Sequence, residues 1–214
     1  MLIYQGHFIS NKLIDHVLIA VSNEEFNELR DLSNSDSRVI YKKTIDQDWN
    51  WEAIYIGYSE NIYLEVVLKE NYPSKIGLAI SSLGDEKNLL DDLEESLPDL
   101  EIRERATKEG MPWYNAYFCE KLESEYFFIW FMEYIGDYRK FRKKTIPNEI
   151  PEFGSNIKLN LDDKTIHEFL KVLNFCGLQF EKNKIGYKIF DVENRYFQIS
   201  INNQKNNVEL KVKK

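Results

Sequence analysis

A carboxylate, a histidine and a set of aromatic rings carry the chemistry that can be read from this sequence. Glu65 stands in the middle of Ile62–Leu68, a run that is otherwise apolar or aromatic. Side chains alternate across a strand, so Tyr63, Glu65 and Val67 share one face. A carboxylate buried among such neighbours is costly unless it is ion-paired, metal-bound or protonated. His16 sits in a second strand-like run, Ile14–Val21, and shares a face there with Leu18 and Ala20. Trp51, Tyr55, Tyr63, Trp113, Tyr114 and Trp130 lie on strand-like runs. They could line a ligand pocket, since pockets are mostly apolar with a few placed polar groups. Ordinary core packing accounts for them equally well. Arg103 and Arg105 could offer a fork to an anion, although arginines on a solvated edge strand need no ligand. No Ser-His-Asp or Cys-His arrangement, glycine-rich phosphate loop, HExxH motif or catalytic carboxylate pair is present. No catalytic residue is therefore assigned.

The elements that must position these groups come in a repeated order. Glu52–Tyr58 and Ile62–Leu68 flank Ser59-Glu60-Asn61 and read as a β-hairpin, aromatic and β-branched on either side of a polar break. Ser22 and Glu25 have capping-box spacing. They open a short helix with Phe26, Leu29 and Leu32 on its apolar side, followed by a polar loop and a strand at Val39–Ile45. The order is strand, helix, strand, strand, strand.

Past Pro73 it returns. Ile76–Ser82 is a strand, and Asp85 caps a helix with Leu89, Leu90, Leu93 and Leu97 that stops near Pro98. Glu101–Ala106 is a weaker strand, Gly110-Met111-Pro112 a turn, and Trp113–Lys121 and Tyr126–Tyr134 the closing strands. Gly136, Pro147, Pro151 and Gly154 mark residues 136–154 as an exposed linker. A third round follows: Ile157–Leu161, a helix capped by Asp162 or Asp163 and stopped at Gly177, then strands Gly186–Asp191, Arg195–Ile201 and Val208–Val212. Such repetition takes precedence in any fold assignment. The expected fold is α+β: paired modules over residues 1–135 (about 13–70 and 74–135), the linker 136–154, and a C-terminal unit of the same order at 155–214, removable without unfolding the rest.

Bulk numbers narrow the partners. A net charge of −8 over 214 residues shows no basic face of the kind nucleic-acid binding needs. Two cysteines without CxxC spacing do not make a disulfide scaffold, and a reducing compartment follows as the default. MLIYQGHFISNK lacks a basic leader with a long apolar core, and no stretch approaches the roughly 20 apolar residues of a membrane helix. A soluble cytoplasmic protein is expected.

Tandem strand-helix-strand-strand-strand modules resemble the vicinal oxygen chelate superfamily: glyoxalase I, extradiol dioxygenases, fosfomycin-resistance enzymes and bleomycin-binding proteins. The likeness covers roughly residues 13–135, with IDHVLIAV and ENIYLEVV as its best pieces. IYIGYSENIYLEVV, MPWYNAYF at 111–118 and FIWFMEYIGDY at 128–138 also resemble a family of uncharacterised bacterial proteins in that superfamily's orbit. The resemblance implies a divalent metal in the concave sheet, with ligands from the first and last strand of each module. It puts His16 and Glu65 at those positions of the first module, and both residue types suit Zn, Mn, Fe or Ni. In the second module it puts Lys75 opposite His16 and Trp130 opposite Glu65. A lysine ammonium has no lone pair for a metal. Glu133 is the remaining candidate ligand, and its odd offset turns it to the other face unless a bulge intervenes.

Without metal, the same residues would form a His16–Glu65 hydrogen bond or a Glu65–Lys75 pair, with Lys75 joining the rings of the ligand pocket. The resemblance therefore implies a small-molecule-binding, glyoxalase-like protein with a cleft between its first two modules and a degenerate metal site. The alternatives are a metal-dependent lyase, isomerase or dioxygenase-type enzyme, and a protein-interaction module working through the C-terminal unit. The implied partners are a small-molecule ligand and, in a homodimer, a second copy of the chain, with neither nucleic acid nor membrane.

Overall fold

The computed structural model describes residues 12–36, 39–45, 50–56, 62–71, 76–82, 93–94, 97, 99–136, 157–184, 186–190, 196–201 and 207–210. The fold is α+β, built on a mixed eight-stranded sheet curled into a half-barrel. Its strands are β1 (Lys12–Val21), β2 (Val39–Ile45), β3 (Asn50–Ile56), β4 (Tyr63–Leu68), β5 (Ile76–Ser82), β6 (Glu101–Ala106), β7 (Pro112–Phe118) and β8 (Phe127–Tyr134), in the order β2-β3-β4-β1-β5-β8-β7-β6. β1 runs parallel to β4 and antiparallel to β5, and β5 runs parallel to β8. Outward from the β1–β5 seam, both halves therefore read first, fourth, third, second strand.

Helix α1 (Asn23–Leu32) starts where the sequence says it should. Ser22 accepts from the Glu25 backbone N–H, and the Glu25 carboxylate accepts from the Ser22 N–H at 2.9 Å. Two otherwise orphaned donors are satisfied, and the helix lays the buried Phe26 on the sheet. The expected hairpin pairs as β3 with β4, Tyr55 opposite Glu65. In the second half, Leu93 and Leu97 are buried and joined by a helical backbone hydrogen bond of 2.7 Å. The Asp85 cap, Leu89 and Leu90 fall outside the described residues, as does the Ser59-Glu60-Asn61 turn. Among the described residues, no helix is long and apolar enough to cross a membrane.

The sheet has two different faces. On the helix side, Val17, Ile19, Ile54, Leu64, Val66, Leu78, Ile80, Ile129 and Phe131 form one apolar cluster with Phe26, Leu93 and Leu97. On the concave side, Leu18, Ala20, Ala53, Val67, Ala79, Ala116, Phe128, Trp130 and Met132 form a second, joined by half-buried Trp51, Tyr55, Tyr114, Phe118 and Tyr134. Small residues alternate there with large rings, which leaves the rings room as the face closes. The curl is strong. Trp51 on β3 stacks on Trp113 on β7 with centroids 6.3 Å apart, whereas the five strand steps between them would span roughly 24 Å in a flat sheet.

The C-terminal unit holds β9 (Ile157–Leu161), α2 (Asp163–Phe175), β10 (Gln179–Lys182), β11 (Gly186–Phe190), β12 (Tyr196–Ile201) and β13 (Asn207–Leu210). Its sheet order is β10-β11-β12-β9-β13. β9 is parallel to β12, and β13 lies antiparallel along the other side of β9, as β5 does along β1. Asp162 caps α2 by accepting from the Thr165 N–H at 2.8 Å, and Gly177 follows the helix at φ +75°.

The unit expected to be detachable packs on the large sheet through α2. Ile166, Phe169, Leu170 and Leu173 of α2 belong to the same cluster as the helix-side face of the large sheet. Phe127 of β8 meets Phe169 edge-on at 5.0 Å. Lys12, buried at the start of β1, acts electrostatically on Cys176, whose thiol is pushed up chiefly by burial. Of the expected linker, only Gly136 lies within the described residues.

All four tryptophans precede residue 135, so none of their fluorescence arises within the C-terminal unit. Phe169→Ala should lower the stability read by tryptophan emission by about 3–5 kcal/mol. A tryptophan transition left unmoved while circular dichroism shows a second, weakened one would establish separate units.

Candidate functional site

The concave face carries a chain of polar groups across its floor. It begins with a fault in β1. Ile14 pairs with Ile80 and His16 with Ala79, so Asp15 is an extra residue in the ladder. A bulge of this kind re-aims the side chains beside it. Ile14 and Val17 both stay in the helix-side cluster, and the bulge turns Asp15 to the same side as His16. The His16 ring then lies between two carboxylates, Nδ1 2.9 Å from Asp15 Oδ1 and Nε2 3.1 Å from Glu65 Oε2. Tyr134 donates to Asp15 Oδ1 at 3.3 Å, and Tyr55 donates to Glu65 Oε1 at 3.2 Å. Strands β8, β1, β4 and β3 are thus bridged by one line: Tyr134, Asp15, His16, Glu65, Tyr55.

Electrostatics follow from this geometry. Burial acts to lower the His16 pKa, but the hydrogen bonds and charges of Asp15 and Glu65 outweigh it and raise the value from 6.5 to about 9. His16 is therefore an imidazolium at neutral pH and donates from both nitrogens. Burial first, then the Glu65 charge, holds the Tyr55 hydroxyl well above the usual tyrosine range, so it stays a donor. Burial and the Asp15 charge do the same for Tyr63. Tyr63 stacks on the imidazole at 4.7 Å, and Trp130 meets it edge-on at 5.3 Å.

The aromatic shelf beside the line depends on Gly77. Trp130 stacks on Phe128 at 4.9 Å and on Phe118 at 6.3 Å. A Cβ on Gly77 would lie 2.7 Å from both Phe128 Cζ and Trp130 Cζ3. The missing side chain lets these rings lie on the strand. Further along β5, the Ser81 hydroxyl is buried and has no hydrogen-bond partner among the described residues.

The residues expected from sequence divide clearly. His16 and Glu65 are in contact, and Tyr55, Tyr63 and Trp130 surround them. Trp51 and Tyr114 belong to the same face, and Trp113 is held between them by its contacts with both rings. Glu133 is a correction. It follows Phe131 onto the helix side and accepts from Tyr117 at 2.7 Å. The bulge needed to turn it inward is in β1, not β8. Lys75 lies outside the described residues. Arg103 is taken up by Glu101 at 2.6 Å and rests over Phe118 at 4.4 Å. Asp15 and Tyr134 are the members of the line that the sequence reading does not single out.

The donor set does not fit the metal that the resemblance implies. Both His16 nitrogens are already engaged by carboxylates, at 2.9 and 3.1 Å. Glu133 is on the opposite face, and the Trp130 indole N–H is a donor only. Among the described residues, no group of three or more His, Cys, Asp or Glu side chains is arranged to hold a metal ion.

No family model matches the chain. No curated protein matches it either. Among solved structures it is similar to a hypothetical protein from Staphylococcus aureus, with a TM-score of 0.54 and 12% identity over 89% of this chain and 86% of that one. At that identity the likeness speaks for the fold alone.

Two outcomes test the site. A folded-state pKa above the unfolded one means that the His16 contribution is fully present below about pH 6.5 and is lost as pH rises through about 9. Chemical denaturation of the wild type across that window should show a loss of roughly 3 kcal/mol, with the slope removed in His16→Gln. Gly77→Ala should cost about 1–3 kcal/mol by overpacking and shift the tryptophan emission. An unchanged spectrum would place the Trp130 ring elsewhere.

Proposed function

We propose that this protein binds a small organic molecule on the concave face of its curled sheet, as a glyoxalase-like protein of the vicinal oxygen chelate kind that works without a metal. The first-fourth-third-second strand pattern about a central seam supports the tandem-module part of this reading. The observation that carries the binding part is the make-up of the concave face. A plain core would be apolar throughout. This face instead has a hydrogen-bonded Tyr-Asp-His-Glu-Tyr line on its floor and the half-buried rings of Trp51, Tyr55, Tyr63, Trp113 and Tyr114 around it. Few placed polar groups among accessible rings are what a ligand site requires. His16, fixed between two carboxylates, sets the position of Glu65, and the rings supply contact area and exclude water.

The metal-dependent enzyme is disfavoured by the donor set, since the imidazole that would ligate already bridges Asp15 and Glu65.

A thermal-shift screen of small organic molecules, followed by tryptophan fluorescence, should find a ligand that raises Tm and changes the emission. The response should survive exhaustive chelation and weaken about tenfold or more in Trp113→Ala, as loss of a ring contact predicts. A response that needs added divalent metal, or one indifferent to both Trp51→Ala and Trp113→Ala, would overturn the reading.

A further inference from the structure

We propose that the ligand is an organic cation, a protonated or quaternary amine on a flat apolar body. The inference rests on the small-molecule reading above and narrows it to one charge class.

Glu65 is the most open carboxylate of the polar line. Its side chain keeps 10% relative exposure, against 4% for His16 and 3% for Asp15. One neighbour holds each of its oxygens, His16 at Oε2 and Tyr55 at Oε1. A carboxylate oxygen carries two lone pairs, so each can accept again. The imidazolium beneath and the tyrosine hydroxyl beside it fix the group in place, so a ligand ammonium would meet an acceptor already oriented. Tyr55 and Tyr63, 5.8 Å apart, stand next to this carboxylate, and Trp51 lies four residues before Tyr55 on the same face of β3. Ring faces carry the negative side of the aromatic quadrupole and attract cations. The same concave face already stacks a cation in this way, where the Arg103 guanidinium lies over Phe118.

Two arginines also border the face. Arg103 is held by Glu101 through two hydrogen bonds of 2.6 and 3.2 Å, so it arrives with its own carboxylate. Arg105 stands cross-strand from Tyr114 on β6, the outer strand of the second half of the sheet. The whole chain is acidic at −8, which steers cations toward it and anions away. The unpartnered Ser81 hydroxyl shows that the same face has polar capacity beyond what the described residues use.

The test uses three probes with one body and different charge: 2-phenylethylamine, 2-phenylethanol and 3-phenylpropionate, titrated into the full chain at neutral pH by calorimetry and NMR. The amine should bind about tenfold more tightly than the other two. Glu65→Gln should erase that preference. If Glu65→Gln does not fold, Trp51→Leu serves instead, and should weaken the amine more than the alcohol. Equal binding of all three, or preference for the alcohol, overturns the cation and leaves the small-molecule reading standing. Preference for the anion, lost in Arg105→Gln, overturns it likewise. If none of the three binds in the millimolar range the cation proposal fails, and the unbiased screen then decides the broader reading alone.

Discussion

The His16 imidazolium between Asp15 and Glu65 is the interaction on which the inner face depends. Two carboxylates on adjacent strands, both buried, would repel each other and force one to take up a proton. A single ring placed between them, donating in both directions, gives each carboxylate a hydrogen bond and sets a positive charge between the two. The geometry asks for a residue that donates from opposite ends of a short rigid body, and a protonated histidine does this where a lysine would not. Removing one partner of such a buried pair strands the others, which is why truncation is so much more damaging than the modest net worth of the pair implies. The aromatic neighbours fit the same logic, with Tyr63 flat against the cation and Trp130 edge-on to it.

The bulge at Asp15 is the backbone's contribution. A regular strand would have sent Asp15 into the helix-side core beside Val17 and Ile19, where an unpaired carboxylate is intolerable. One extra residue in the β1–β5 ladder moves it to the side where His16 and Tyr134 can meet it. The fault sits at the seam between the two halves of the sheet, so the polar line ties β3 and β4 of one half to β8 of the other. Gly77, one strand over, does the complementary job for the apolar groups by leaving a gap that Phe128 and Trp130 fill.

Much of the secondary structure was legible from periodicity and caps, because those signals are local. Ser22 with Glu25, Asp162 with Thr165, and the alternation of Tyr63, Glu65 and Val67 are set within a few residues of chain. His16 and Glu65 could be matched because parity holds along an unbroken strand. Asp15 escaped because a bulge breaks parity, and nothing in IDHVLIAV states where the pleat slips. Glu133 was drawn inward by analogy, while Tyr117, two strands' worth of sequence earlier, offers it a hydrogen bond on the other face. The stacking of Trp51 on Trp113 is a property of the curl, set by how a whole sheet closes. The docking of α2 on β8 was hidden for a different reason: a stretch rich in Pro, Gly and charge says how a connection is built, and nothing about what lies on either side of it.

The placement of β13 bears on assembly. In the large sheet, the edge of β1 away from β4 is taken by β5. In the five-stranded sheet, the chain's own β13 occupies that edge of β9. A row of repeats joined edge to edge is an open polymer, ready to add a further copy of itself from another molecule. β13, four residues long, covers that edge with a brief strand, and brief edges make poor templates for growth. With β12 on one side and β13 on the other, β9 is paired along both edges within one molecule.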